Sequence, residues 1–341
     1  MIRKVTAMNS RETLMKLCMA FGPTGAEDKV SQVIEEMVRP YVDEIRRDAM
    51  GNLIAVKRGQ GKGKVMVAAH MDQIGLMVTS IDENGFLRVA NVGGIAPRSV
   101  LYRQVTFENG TVGCVGLNAK APSLDKVTLE HVYIDIGCES RAEALEKVQI
   151  GDTCIMQANF LDMGQRMSSP AMDNRSACAV LVEALKRLDT PAMDVYGVFT
   201  TQEEVGLRGA KTAAFAIQPD VGIAVDITGE SSYPEAEATC SMKMGQGAAV
   251  KVRDASVFCT PAVVRWMEET AKEEGIPYQR EVLTFGGTDT QAIQLTGAGI
   301  PAGCISIPGR YIHSMCETID GRDYEAAIAL LAALLKKEYQ H

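Results

Sequence analysis

The side chains that could do chemistry in this chain are two histidines and a set of separated carboxylates. His70 and Asp72 lie two apart in AAHMDQIG, Asp173 sits in MDNR, Glu203 and Glu204 are adjacent in TQEEVGLRGA, Asp226 lies in VDIT, and His313 stands in RYIHSMCET. Only four histidines occur in 341 residues, so the contexts of His70 and His313 carry weight; His341 is terminal, and His131 has no acid pattern near it. Imidazole nitrogens and carboxylate oxygens together suit zinc, cobalt or manganese. If the fold brings these segments to one crevice, the chemistry is hydrolysis by water activated between two cations.

Spacing suggests how the work could divide. At a strand end, residues two apart face the same side, so His70 could bind a metal through one ring nitrogen while Asp72 accepts a hydrogen bond from the other. Asp173 has one oxygen for each of two cations and could bridge them. Glu204 could serve as an ionised ligand, and Glu203 as the group that takes the proton of the attacking water. Each residue also has an ordinary structural role open to it. His70 and Asp72 could be a polar strand end, Asp173 a carboxylate favouring a helix N-terminus, the glutamates two solvated acids beginning a helix, and His313 a packed histidine. In FGGTDT, Gly286 and Gly287 permit close backbone approach while Thr288 and Asp289 bring polar groups, which fits a substrate-positioning loop; the alternative is a helix start capped by Asp289. Arg175 and Arg310 suit either acid orientation, substrate contact or salt bridges.

The elements that must position these groups follow from apolar periodicity. Ser10 can cap a helix carrying Leu14, Leu17, Cys18 and Phe21, and Thr24 with Glu27 has the spacing of a capping box before a second helix that Pro40 ends. Strands are expected at 53–57 and 65–69, the second delivering His70 at its carboxyl end. Short strand-like runs then follow at 76–81, 86–90, 102–107, 111–115, 132–136 and 154–158, separated by turn residues. From Asp173 onward the rhythm alternates again, with helices at 176–188, 206–216 and 261–274, strands at 195–200, 221–226 and 300–307, and a final helix whose core stripe runs from Tyr324 to Leu335. This pattern predicts an α/β fold, a helix-covered mixed sheet carrying an inserted all-β domain. Residues 1–73 plus 163–341 would form the discontinuous main domain, and 74–162 the barrel-like insertion.

Composition narrows the class. At 46% apolar and 23% charged residues, the chain is an ordinary globular sequence. A formal net charge of −8 without any basic block argues against nucleic-acid or anionic-membrane binding. No apolar run is long enough for a membrane span, and the start MIRKVTAMNSRET lacks the apolar core of a secretory signal, so a cytoplasmic location is expected. Nine irregularly spaced cysteines fit reduced thiols better than a disulfide framework.

Taken together, AAHMD, MDNR, TQEEVGLRGA, VDIT, FGGTDT and RYIHS resemble the metallo-aminopeptidase family called M42, within the zinc-peptidase clan that uses two co-catalytic metals. GPTGAED near the start and HVYIDIG in the insertion extend the resemblance over nearly the whole chain. It implies that His70 and Asp226 bind one divalent ion and Glu204 and His313 the other, zinc or cobalt with manganese as a further option. Asp173 would bridge, Asp72 would orient His70, and Glu203 would be the general base. It further implies peptide substrates with a free amino terminus, and self-association through dimers into a dodecameric shell. Met172 departs from many relatives, which carry an aromatic residue before DNR. Whether the preferred terminal residue is glutamyl or broader stays open. Other readings are a metal-dependent amidohydrolase of acylated small amines, an endo-glucan hydrolase using Glu203 with Asp173 or Asp226, and a non-catalytic assembly protein.

Overall fold

The computed structural model describes residues 9–235 and 240–340; the first eight residues and His341 lie outside the described residues. In chain order, α1 (Ser10–Met19) and α2 (Asp28–Val38) lead into β1 (Glu44–Arg47), β2 (Leu53–Lys57) and β3 (Lys64–His70). Next come β4 (Gly75–Ile81), β5 (Leu87–Val92), α3 (Pro97–Val100), β6 (Gln104–Phe107), β7 (Val112–Leu117), β8 (Val132–Asp135), α4 (Arg141–Lys147) and β9 (Thr153–Met156). The chain continues through β10 (Leu161–Asp162), β11 (Arg166–Ser169), α5 (Met172–Lys186), β12 (Asp194–Thr200), α6 (Arg208–Ile217) and β13 (Val221–Gly229). It finishes with β14 (Ala248–Arg253), α7 (Pro261–Glu273), β15 (Tyr278–Val282), α8 (Asp289–Gln294), β16 (Ala302–Arg310), β17 (Glu317–Asp320) and α9 (Gly321–Leu334).

Among the described residues, eleven strands make one mixed sheet, and β4 to β9 close a separate six-stranded antiparallel barrel. The fold is therefore α/β with a small barrel. At the centre of the large sheet, β3 runs parallel to both β12 and β13, and β13 runs parallel to β16. These strands are apolar on both faces because helices cover both. Leu181 and Leu185 of α5 pack on one face, close over Gly197 of β12. Ala210, Ala213 and Ile217 of α6 pack with Ile54, Met66 and Val198 on the other. The barrel has its own interior, built around Leu76, Leu87, Val105, Val115, Ile134 and Cys154. No described helix is long and apolar enough to cross a membrane.

Local sequence signals were displaced where a tertiary partner competed for them. Asn9, not Ser10, caps α1, its side chain accepting from Glu12 N at 2.9 Å while Glu12 takes Asn9 N at 3.0 Å. Thr24 and Glu27 do not form a capping box. The Thr24 hydroxyl donates instead to Asp72 at 2.8 Å, and buried Glu27 accepts the backbone N–H groups of Gly25 and Gln202 at 2.8 and 3.2 Å. Strand β13 runs on to Gly229, which places Asp226 inside it, because Ile227 to Gly229 pair in register with Ile307 to Gly309 of β16. The expected helix at 206–216 starts two residues later, since Gly206 and Leu207 both take positive φ, 124° and 57°. Strands β10, β11, β14 and β15 and helix α4 had no clear signal in the sequence.

Leu181 is fully buried between α5 and the sheet. Leu181→Ala should lower the unfolding free energy by about 2–5 kcal/mol, measured by denaturant titration with the slope unchanged.

Candidate metal centre and active site

Four neighbouring strands deliver the site at their carboxyl ends. His70 is the last residue of β3, in register with Thr200 at the end of β12. Glu203 and Glu204 follow from β12, Asp226 is on β13, and the segment after β16 carries His313. A parallel sheet presents ligands at this edge because loops leave all its strands on the same side. Asp173 arrives from the first turn of α5, where Asp173 and Asn174 depart from helical φ/ψ. The Asn174 side chain donates to Val225 O at 3.0 Å, tying that turn to β13.

The two histidines approach different oxygens of the same carboxylate. His70 Nε2 lies 3.2 Å from Asp173 Oδ1, and His313 Nε2 lies 3.5 Å from Asp173 Oδ2. Around His70 Nε2, Asp226 Oδ1 and Glu203 Oε2 each stand at 3.8 Å; around His313 Nε2, Glu204 Oε2 stands at 3.3 Å. All seven expected metal and catalytic side chains, Asp72 included, thus gather in one place. His70, Asp72, Asp173 and Asp226 are buried, while the His313 side chain keeps 37% exposure and forms the open edge. A cavity of about 710 Å³ opens on the cluster.

Asp72 does more for the glutamates than for the imidazole. His70 Nδ1 lies 3.1 Å from the Asp72 carbonyl oxygen and 3.6 Å from its carboxylate. That carboxylate accepts the backbone N–H groups of Glu203 at 3.0 Å and Glu204 at 3.3 Å, besides the Thr24 hydroxyl. Adjacent glutamates can therefore both reach the cluster because their backbone is gathered onto a single buried acid.

Glu317 was not singled out by sequence reasoning, yet it couples two site residues. Its carboxylate oxygens accept the backbone N–H of Asp173 and that of His313, each at 2.8 Å. His313 has φ 59°, a region that side-chain-bearing residues rarely adopt, and the Glu317 contact holds it there. The available signal was an acid four residues after His313, a spacing with no diagnostic value alone. Gly93 and Gly94, which follow β5 of the barrel, were also missed. A Cβ on Gly94 would come within 2.8 Å of His313 Nδ1, and one on Gly93 within 3.2 Å of Glu204 Oε2. The barrel thus touches the site through two residues without side chains.

The remaining candidates divide. Gly286, Gly287 and Thr288 line the cavity, but buried Asp289 turns to Thr200, whose hydroxyl donates to it at 2.5 Å. Thr288, not Asp289, caps α8. Arg175 donates to the carbonyls of Leu17, Ala20 and Gly22 and to the Gln73 side chain, so it is structural. Arg310 pairs with Glu230. His131 bonds within its own turn in the barrel.

Electrostatics describes a cluster short of positive charge. Burial, assisted by neighbouring carboxylates, pushes the Glu203 and Asp226 carboxyls well above their ordinary range. Burial opposes charge on the imidazoles, but the surrounding acids raise His70 well above its usual value and His313 to about 11. Burial also acts against the Asp173 charge, yet the hydrogen bonds from His313 and His70 hold it well below the usual carboxylate range. Bound cations would relieve this crowding. The donor atoms fit them. Ligand atoms of His70, Glu203 and Asp226 lie within 4.8 Å of one another, as do those of His70, Asp173 and Glu204. Glu204 Oε1 is buried and without a hydrogen-bond partner among the described residues, which leaves it free for a metal.

Comparison with known proteins gives the family. The family model described as M42 glutamyl aminopeptidase matches residues 51–330. This chain belongs to that family. As an M42 protein it is a peptidase, a hydrolase of peptide bonds. A putative aminopeptidase of Acetivibrio thermocellus is 48% identical over 320 residues, covering 94% of this chain and 96% of that one. Among solved structures, aminopeptidase APDkam598 from the archaeon Desulfurococcus kamchatkensis superposes with a TM-score of 0.92 at 36% identity, covering 96% and 95% of the two chains. The Pyrococcus horikoshii TET1 peptidase, which can assemble into a tetrahedron or a large octahedral shell, gives 0.87 at 32% identity, over 97% of this chain and all of the other. M42 membership also accounts for the barrel, since these similarities span both the barrel and the sheet.

Replacing Glu317 with alanine should leave the buried Asp173 N–H and the half-buried His313 N–H without acceptors, at a cost of about 1–3 kcal/mol for the buried one. Affinity for a divalent cation should fall about 10–100-fold, read by calorimetric titration of chelator-stripped protein. Unchanged affinity would show that Asp173 and His313 keep their places unaided.

Proposed function

We propose that this M42 peptidase is a metal-dependent aminopeptidase that removes amino-terminal residues from peptides. The observation that carries this reading is the division of Asp173 between two histidines, one oxygen to each. In this reading His70 and Asp226 would hold one divalent ion, Glu204 and His313 the other, and Asp173 would lie between them. Zinc or cobalt, with manganese as a further option, would supply Lewis-acid activation of a water and of the scissile carbonyl. Glu203 shares the buried space beside His70 and Asp226 but has another assignment. It accepts the proton of the attacking water and returns it to the leaving amide nitrogen.

The other residues act by position. Asp72 fixes the backbone of Glu203 and Glu204, so the proton acceptor and its neighbouring ligand move together. A carboxylate-rich crevice favours the cationic free amino terminus of a peptide, which would confine cleavage to the first bond. Gly286, Gly287 and Thr288 shape the cavity wall beside it. A covalent route through a cysteine has no support, since burial pushes the Cys178 thiol beside His70 up to about 12.

We assign residues 1–73 plus 163–341 to the peptidase domain and 74–162 to an inserted domain that serves self-association and substrate access. Likeness to PhTET1-12s, a dodecamer, supports self-association through dimers into a dodecameric shell. Nine unpaired cysteines support a reducing, cytoplasmic location.

Hydrolysis should be tested on aminoacyl nitroanilides, amino-terminally blocked peptides, acyl amides and β-glucans, before and after chelation and metal restoration. Release confined to free amino-terminal residues and lost on chelation is expected; action on blocked peptides or glucans alone would overturn the reading. Glu203→Gln should lower kcat about 10²–10⁴-fold while bound metal, counted by emission spectrometry, stays near the wild-type level. Asp173→Ala should instead deplete both metals, and full occupancy in that variant would reject the bridge.

A further inference from the structure

Among the described residues that line the cavity on the metal cluster, none comes from GPTGAED, Gly22 to Asp28. The hydrogen bonds of this segment still lead to both glutamates. Gln202, Glu203 and Glu204 present three successive backbone N–H groups to two buried carboxylates. Glu27 Oε1 accepts the first at 3.2 Å, Asp72 Oδ1 the second at 3.0 Å and Asp72 Oδ2 the third at 3.3 Å. Gln202 has φ 56°, a conformation rare for a residue with a side chain. Successive N–H groups in such a turn make a concavity suited to anions, and the two acids fill it.

GPTGAED supports both acids. Glu27 is one of them, and the Thr24 hydroxyl donates to Asp72 Oδ2 at 2.8 Å, holding the other. The segment is in turn tied to the strand end that carries Asp72. Thr24 N donates to Gln73 O at 3.1 Å and Gln73 N to Gly22 O at 3.2 Å, while Arg175 donates to Gly22 O and to the Gln73 side chain, each at 3.0 Å. The two supports fall on different glutamates. Glu27 holds the N–H immediately before Glu203, whereas Thr24 holds the Asp72 oxygen that Glu204 N reaches.

We propose that GPTGAED is a brace with two separable positioning residues: Glu27 sets the place of Glu203, the proton acceptor, and Thr24, through Asp72, sets the place of Glu204, the metal ligand. Neither touches substrate. The roles of Glu203 and Glu204 in this proposal rest on the aminopeptidase reading above.

The test pairs each disruptive variant with a conservative one. Glu27→Met fills the space without an acceptor and Glu27→Gln keeps one; Thr24→Val removes the donor at nearly constant volume and Thr24→Ser keeps it. kcat and KM are measured on an aminoacyl nitroanilide with metal-loaded enzyme, and zinc affinity by calorimetric titration of chelator-stripped protein. Glu27→Met should lower kcat about 10–100-fold, with KM and zinc affinity unchanged, and Glu27→Gln should restore most of the loss. Thr24→Val should weaken zinc binding about tenfold, and Thr24→Ser should restore it. Glu27→Met combined with Glu203→Gln should be no slower than Glu203→Gln alone, since Glu27 acts only through the acid already removed.

Parallel losses of kcat and zinc affinity in the Glu27 and Thr24 variants, or additive losses in the double variant, overturn the division of roles. Wild-type kcat in Glu27→Met and wild-type zinc affinity in Thr24→Val overturn the brace. No release by the wild type from any free amino-terminal substrate overturns the aminopeptidase reading and the Glu27 assignment with it, while zinc affinity still decides Thr24. Where Glu27→Met lacks the wild-type circular dichroism, the smaller Glu27→Ala is used; loss of folding in both assigns Glu27 to stability alone and overturns its positioning role.

Discussion

Placing five carboxylates around two imidazoles in a buried crevice is the constraint to which the rest of the structure answers. Taken one at a time, such groups would be neutralised or would recruit counter-charges from the protein. Here Asp173, Glu203, Glu204, Asp226 and Asp72 gather around His70 and His313, with no lysine or arginine among the cavity-lining residues paired to them. The arrangement makes physical sense as a cation-binding centre. Its energetic cost is carried by a large core of helices packed on both faces of the sheet.

Precision comes from backbone hydrogen bonds to buried acids. Asp72 gathers the N–H groups of Glu203 and Glu204, Glu317 gathers those of Asp173 and His313, and Glu27 takes that of Gln202. Each of these acids orders a loop that comes from a different part of the chain. Side chains held this way have fewer ways to relax, which suits a site whose ligands must keep fixed spacing. The barrel contributes through Gly93 and Gly94, where the absence of Cβ atoms lets it close against His313 and Glu204. A change in how the barrel sits would therefore register directly at the site.

A second set of buried charges is ion-paired within itself, apart from those that surround Asp173. Lys251, Asp254 and Glu281 belong to β14, β15 and the turn after β14, elements that pack on the edge of β16.

Much of this site was legible in the sequence because its chemistry-bearing residues fall where apolar runs break. His70 after an apolar strand, Asp173 before a long helix, and the adjacent glutamates before glycine could each be named from local pattern. The shift from helix–strand alternation to short evenly spaced strands likewise marked the barrel. What local pattern did not contain was partnership. Thr24 and Glu27 had capping-box spacing, but buried Asp72 and the Gln202 N–H claimed them in the folded chain, since an unsatisfied buried group outweighs an exposed helix cap. Glu317 and Gly94 are ordinary residues in sequence and became significant only through contacts with residues far away in the chain. The sequence by itself determined which groups could hold metal and move a proton, because that depends on residue type. Their convergence and the sharing of Asp173 between two imidazoles were decided by tertiary structure, because each depends on distances that chain separation does not encode.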